Sequence, residues 1–293
     1  MKPSILILVA AGGLGLAAQA PLPLSFDLGV HPDARGSLTS AKVEWRWSDS
    51  LASRASFSYQ SSSSSGDLPG YGEDALYASE SVDSSLALEP FVLSGTLAFL
   101  DWEAGAGLGL KTEDLEERGS YRSVGTQTYD NVVRGWRIGT PLTGSLAARF
   151  GPLDLGLDLA VWPACLYVLS QEQSSTLIAP KGSLDSLCLI GPEIAPELRV
   201  SAFGWAWAGA RYEFLWLSTP RLVQNEAGDA WTAVIEGKTN QSLRVLGGLR
   251  LPLRAGSVEL GVGWRRNSSR IEGGAEAEID QGLAFELSLS SGR

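Results

Sequence analysis

The sequence predicts an all-β protein, a closed antiparallel up-and-down β-barrel of about 12 strands, within a range of roughly 10 to 14, that crosses a membrane. Three observations support this fold class. Apolar and polar residues alternate, short turns alternate with long polar loops, and the strand count is even. In PLDLGLDLAVWPACLYVL, residues 152–169, Leu153, Leu155 and Leu157 share one parity, so one strand face is apolar. A sheet that spans lipid must close, because no water satisfies an open edge.

Composition agrees with this fold class and excludes one kind of partner. The chain has 293 residues, of which 19% are charged, below the roughly 25% of average soluble domains. Its 10 tryptophans and 34 glycines favour β structure with wide use of aromatic residues. The formal net charge of -10 argues against a nucleic-acid partner, which needs a basic surface.

The first 20 residues predict a secretory signal peptide. They contain one lysine, an apolar run at residues 5–9 and a small-x-small end at residues 18–20, so cleavage is expected near residues 17–20. Pro21 would follow a cut after Ala20, which makes a cut after Ala17 or Ala18 an alternative. Residues 21–293 are then a single barrel domain, in which no apolar run of about 18 residues predicts a transmembrane helix.

Eleven connections divide the mature chain into twelve predicted strands. Five are short turns, at residues 48–51, 93–96, 150–153, 203–205 and 254–257. Six are long polar loops, at residues 31–37, 61–82, 113–130, 170–183, 220–241 and 266–278. The predicted strands are residues 22–30, 38–47, 52–60, 84–93, 97–111, 132–150, 153–169, 184–203, 205–219, 242–253, 258–265 and 279–289.

One short motif near the C-terminus carries a resemblance to a known class. The segment DQGLAFEL, residues 280–287, has the pattern polar-x-Gly-x-x-apolar-x-apolar. It resembles the last-strand assembly signal of Gram-negative outer-membrane β-barrels, which usually end on an aromatic residue, whereas this chain continues to Arg293. The resemblance concerns architecture and identifies no particular family. It implies the outer membrane of a diderm bacterium as the location, with membrane lipid and the barrel-assembly machinery as partners and the short turns in the periplasm.

Aromatic residues on the apolar parity are expected to form two belts at the membrane interfaces. Those at the short-turn ends are Trp45, Trp47, Phe150 and Phe203, and those toward the long loops are Tyr59, Trp136, Tyr167, Trp216 and Trp264. The alternative is a soluble β-sandwich with core aromatics, but a sandwich gives the charged face of each strand no place.

The polar parity of the strands is the expected lining of the barrel lumen. Its charged residues include both signs in similar number. The predicted lumen-lining residues are Glu44, Arg46, Arg54, Asp101, Glu103, Arg137, Arg149, Asp154, Asp158, Glu197, Arg199, Arg211, Arg244, Arg250, Glu259 and Arg265.

Reflection of each hairpin about its turn predicts which of these residues are cross-strand neighbours. Three predicted pairs have opposite charge and are expected to attract: Arg149 with Asp154, Glu197 with Arg211, and Arg250 with Glu259. Two predicted pairs are like charges: Arg244 with Arg265, and Arg46 with Arg54. Like charges face to face favour an anion between them.

The expected function is a narrow channel for small polar solutes or anions. A barrel of about 12 strands is intermediate between small filled barrels and wide porins. Balanced charge in the lumen predicts little overall selectivity. The alternative is a surface-exposed barrel whose charged interior is packed and whose outer loops bind host or partner molecules.

Histidine and cysteine are too scarce to favour catalysis or a metal centre. The single histidine, His31, is assigned to a solvated outer loop beside Asp33, so no enzymatic activity, cofactor or metal is expected. Reflection about the loop at residues 170–183 places Cys165 opposite Cys188, which makes a cross-strand disulfide a candidate in an oxidising compartment. Two independent small apolar residues are the alternative.

Overall fold

The computed structural model describes residues 24–32, 36–67, 75–121, 127–175, 178–224, 230–254, 256–271 and 276–291. The predicted signal peptide lies outside the described residues. Within them no helix is long and apolar enough to cross a membrane. Fifteen strands run through the described residues: β1 Leu24–Pro32, β2 Gly36–Ser48, β3 Leu51–Asp67, β4 Ala75–Leu97, β5 Leu100–Tyr121, β6 Gln127–Gly139, β7 Leu142–Phe150, β8 Leu153–Trp162, β9 Cys165–Ser175, β10 Ile178–Ile190, β11 Glu193–Ala202, β12 Ala206–Gln224, β13 Trp231–Leu253, β14 Gly256–Ile271 and β15 Glu276–Ser291.

These fifteen strands form twelve spanning segments, because three consecutive segments are each interrupted near the middle. The interruptions lie at Pro141, between β6 and β7, at Pro163, between β8 and β9, and at Pro192, between β10 and β11. Proline lacks the amide hydrogen that a central strand needs for its ladder. Each segment pairs antiparallel with its neighbours in the chain, and β1 pairs with β15 to close the ring. The predicted closed barrel of twelve strands is confirmed.

Several predicted loops are strand in the structure. β3 continues to Asp67, β4 begins at Ala75 and β5 runs to Tyr121, so most of two predicted polar loops is hydrogen-bonded sheet. The predicted turn at residues 93–96 lies instead after Leu97, where Ala98 has a φ of 58°. Alternation of polarity marks only the part of a strand with one apolar face. Serine-rich extensions are polar on both faces and carry no such mark.

Two of the three interruptions exchange the inward and outward parities. Trp162 and Cys165 both point inward although they lie three positions apart, and the same holds for Ile190 and Glu193. The extra residue at each interruption therefore turns β9 and β10 over relative to β8 and β11. Tyr167, predicted to face lipid, is consequently only 5% exposed. The outward faces retain exposed aromatic residues at both ends, among them Trp47 and Phe203 toward the turns and Trp136 and Trp264 toward the loops.

The ring is hydrogen-bonded differently in its two halves. In the half with the short turns, β5 pairs with β7, and β11 pairs with β12 from Ala202 up to Glu193. In the half with the long loops, β10 pairs with β9 alone, and no ladder joins it to β12 among the described residues. Side-chain contacts connect β10 to β12 instead. Leu217 of β12 packs against a buried cluster that includes Cys165 and Ile190.

Candidate functional site

The interior of the barrel contains two cavities. The long-loop cavity has a volume of about 980 Å³ and is lined by residues from strands all round the ring. The short-turn cavity has a volume of about 450 Å³ and is lined by residues that include Glu44, Arg250 and Ser290. Asp27 and Lys42, opposite each other on β1 and β2, line both cavities. These two residues therefore lie at the boundary between the two cavities.

One cluster of ion pairs lies on the β2 to β5 wall near this boundary. We call it the Glu44 cluster; it consists of Glu44, Arg46, Arg54, Glu89 and Glu103. Glu44 accepts hydrogen bonds from Arg46 at 2.7 Å and from Arg54 at 3.1 Å. Arg54 also donates to Glu103 at 2.7 Å and lies 3.6 Å from Glu89. The two arginines share their carboxylates, so the cluster holds four strands together on their inner face.

A second cluster lies on the wall formed by β11 to β14. Glu259 forms ion pairs with Arg199 and, at 2.6 Å, with Arg250. Arg199 also stacks over the ring of Trp207, with 4.4 Å between its guanidinium carbon and the ring centroid. β12 and β13 separate β11 from β14, so the contact between Arg199 and Glu259 spans two intervening strands and narrows the interior.

A third cluster lies in the long-loop cavity where the three interruptions are. Lys111 forms an ion pair with Glu193, and Arg137 lies 3.2 Å from Glu113. The Tyr167 hydroxyl is 3.3 Å from the same Glu113 carboxylate. Sequence reasoning missed Glu113 because it assigned residue 113 to a loop. The signal that could have found it is the continued alternation after Lys111, which keeps residue 113 on the inward parity.

Three arginines lie side by side on β12, β13 and β14. The register places Arg211 opposite Arg244, and Arg244 opposite Arg265. All three line the long-loop cavity. Adjacent strands are about 4.8 Å apart, so three positive charges occupy a single level of the wall. We call these residues the arginine row.

The register confirms four of the predicted cross-strand pairs. The opposite charges approach to 3.7 Å in Arg149 with Asp154, to 3.5 Å in Glu197 with Arg211 and to 2.6 Å in Arg250 with Glu259. The confirmed pairs are Arg149 with Asp154, Glu197 with Arg211, Arg250 with Glu259, and the like pair Arg244 with Arg265.

The predicted pairing of Arg46 with Arg54 is wrong. Arg54 lies opposite Glu44, and Arg46 lies opposite Ala52. The predicted pairing assumes a turn centred on Ser50, whereas the turn is centred between Asp49 and Ser50, and a bulge between Arg46 and Ser48 then shifts the register by one further residue. The shift replaces a like-charge contact by the attraction that organises the Glu44 cluster.

Four of the predicted lumen residues lie away from the three ion-pair clusters and from the arginine row with its partner Glu197. Asp101 accepts a hydrogen bond from Thr96 beside the turn, and Arg149 and Asp154 form an exposed pair near the short-turn end. Asp158 lies opposite Glu197 in the ladder, so two carboxylates face each other there.

The predicted direct pairing of the two cysteines is wrong. Cys165 lies opposite Ile190, and Cys188 lies opposite Tyr167. The register is as predicted at the turn, but an irregularity between Ile178 and Gly182 moves it by two residues farther along the strand. Both cysteines are free thiols on the inward face.

The single histidine is not in a solvated loop. His31 belongs to β1, with its Nδ1 atom 3.5 Å from Glu286, and both side chains are 15% exposed. No hydrogen bond joins His31 to a hydroxyl in the part of the chain that the structure describes. That part also contains no group of three or more His, Cys, Asp and Glu side chains arranged to hold a metal ion.

No protein-family model matches the sequence, and no curated protein matches it. Similar solved structures include the translocator domain of the autotransporter NalP from Neisseria meningitidis, at 11% identity and a TM-score of 0.46, covering 99% of this chain and 98% of that one. The β domain of the Bordetella autotransporter Brka gives 11% identity and a TM-score of 0.42, with 92% and 98% covered. The P. putida toluene transporter TodX is similar at 10% identity and a TM-score of 0.42, covering 92% of this chain and 89% of that one. The chain has the closed antiparallel architecture of an outer-membrane β-barrel.

Proposed function

We propose that this barrel is a narrow channel for small polar solutes in the outer membrane of a diderm bacterium, inserted into membrane lipid by the barrel-assembly machinery. The observation that supports the proposal is the polar lining of the interior on both sides of one level. The two cavities share Asp27 and Lys42, and charged or hydroxyl side chains line both. Rings of charged side chains are a usual means of selecting solutes in such pores.

The proposal is tested by the conductance of the refolded full chain in planar bilayers. We expect small discrete conductance steps that increase when the Glu44 cluster is loosened by Glu103→Gln, which removes carboxylate oxygens from both Arg46 and Arg54. Thr96→Val, at an exposed site beside the turn, is the control and should leave the step size unchanged. Absence of conductance in every variant would overturn the channel proposal.

The second candidate function is a barrel with a packed interior and a binding surface at its long-loop end. Ion pairs that span the interior favour it, and Glu44 and Glu89 are each only 3% exposed. The extended strands supply the surface: Ser62 and Ser81 share a hydrogen bond of 2.7 Å, and Arg118 lies 3.2 Å from Glu116. A protein without conductance that still binds cells or matrix through this sheet would support the second candidate.

We infer that the chain is not an enzyme. A hydrolytic site needs a base within hydrogen-bond reach of its nucleophile, oriented by a third group. His31 has a nearby carboxylate in Glu286 but makes no hydrogen bond to a hydroxyl among the described residues. Hydrolysis of ester or peptide substrates by the purified barrel, lost in His31→Gln, would overturn this inference.

A further inference from the structure

We propose that Arg244 is the centre of a binding site for an oxyanion group, a carboxylate or a phosphate, carried by a small solute in the long-loop cavity. The role of this site in passage rests on the proposed channel function, whereas the binding itself does not. Arg244 is the middle member of the arginine row and lines the cavity on β13.

The outer two members of the row have carboxylate partners. Arg211 lies 2.7 Å from Glu213 and 3.5 Å from Glu197. Arg265 lies 2.9 Å from Asp280. The positive charge at each end of the row is therefore compensated by a carboxylate within ion-pair distance.

Arg244 itself forms no ion pair with any carboxylate among the described residues. The reason is its position in the ladder. Both cross-strand neighbours are arginines, and its same-face neighbours along β13 are Ser242 and Leu246. The nearest diagonal carboxylate, Glu213, lies opposite Ser242 and is already bound to Arg211. Glu286 also lines the cavity and attracts Arg244, but it is not within ion-pair distance, so Arg244 is the one member of the row without an ion pair among the described residues.

Like charges directly opposite in a ladder destabilise a sheet, so the row is more stable with an anion at its centre. The residues one step toward the long loops suit an oxyanion. Ser242 and Asn267 lie opposite each other, line the cavity and offer a hydroxyl and an amide as donors. Below the row, Leu246 belongs to a buried apolar cluster with Trp207 and Ala284, which closes the site on that side. An arginine fork binds carboxylate or phosphate oxygens in a bidentate geometry.

The test is equilibrium dialysis of the detergent-solubilised full chain against labelled inorganic phosphate, with competition by acetate. We expect one bound phosphate per barrel, an affinity at least tenfold weaker in Arg244→Gln, and an intermediate affinity in Arg244→Lys, which keeps the charge but not the bidentate fork. Lys238→Gln is the matched control, because it removes one positive charge from the same strand and cavity. Removing a repelling charge should leave the unfolding midpoint of Arg244→Gln at or above that of the wild type, which separates loss of the site from loss of the fold.

Equal phosphate affinity in the wild type and Arg244→Gln, or equal weakening by Lys238→Gln, would overturn the proposal. Bilayer recordings separate it from the channel function. If the wild type conducts, phosphate should reduce the chloride current in the wild type and in Lys238→Gln but not in Arg244→Gln. Phosphate binding without conductance would leave the site standing while the channel proposal fails. Conductance without phosphate binding would do the reverse.

Discussion

The carboxylate of Glu259 joins two arginines on the inner wall, and its replacement by glutamine isolates the contribution of that charge. The Glu259 side chain is 8% exposed, Arg199 is 26% exposed and Arg250 is 36% exposed. A hydrogen bond between charged groups at a largely buried site contributes about 1.5–3 kcal/mol, which applies to Arg199. The more exposed Arg250 contributes about 0–1 kcal/mol. Glutamine has the same shape, so no cavity forms, and Glu259→Gln should lower the free energy of unfolding by about 2–4 kcal/mol.

The assay is urea unfolding of the barrel in lipid vesicles, followed by the emission of its 10 tryptophans. Asp154→Asn is the matched control, because it makes the same chemical change in a pair whose side chains are 84% and 51% exposed. The control should change the free energy of unfolding by less than about 0.5 kcal/mol. Equal effects of the two substitutions would refute the argument that burial makes the Glu259 contacts strong.

Three further changes test other parts of the structure. Leu187 is an outward side chain that is 66% exposed, so Leu187→Arg should lower the free energy of unfolding by about 2–4 kcal/mol if this face lies in lipid. Unfolding in lipid vesicles measures the change, and an unchanged free energy would contradict a lipid-facing β10. Gln171→Leu removes the acceptor to which the Leu222 amide donates at 3.0 Å, so that amide should exchange with deuterium about tenfold faster. The Val200 amide is the control and should exchange at its wild-type rate; unchanged exchange at Leu222 would contradict the contact. Mild oxidation should form no disulfide between Cys165 and Cys188, because they are diagonal neighbours and such residues are about 7–8 Å apart. Both thiols should therefore still be alkylated, and a disulfide-linked peptide detected by mass spectrometry would contradict this register.

The sequence determines cross-strand register wherever a tight turn leads into an uninterrupted ladder. Arg149 with Asp154, and Arg250 with Glu259, follow from reflection about turns at Gly151 and Arg254. Reflection fails for Arg46 with Arg54, since the turn is not centred on Ser50 and a bulge shifts every later pair by one further residue. Bulges depend on how two strands twist together, and alternation within one strand contains no record of that.

Proline offers a partial signal for the second error, the prediction that Tyr167 faces lipid. Pro163 and Pro192 lie in the middle of long alternating segments, where a ladder hydrogen bond has to be lost. Their positions could have predicted interruptions, but not whether the parity changes after them. Pro141 illustrates this limit, because Ile138 and Leu142 both point outward on either side of it. The inward position of Tyr167 therefore required the three-dimensional structure.

No ladder joins β10 to β12 among the described residues, so the two ends of the barrel differ in how their walls are closed. A ring closed by hydrogen bonds on every side keeps a constant circumference, and the short-turn half is such a ring. In the long-loop half, where the described part of the chain has no such ladder, packing around Leu217, the Gln171 contact to Leu222 and a hydrogen bond from the Trp216 amide to Pro192 connect the two edges. Separation along that line would break no ladder hydrogen bond, so we expect the long-loop mouth to change its diameter more readily than the short-turn end.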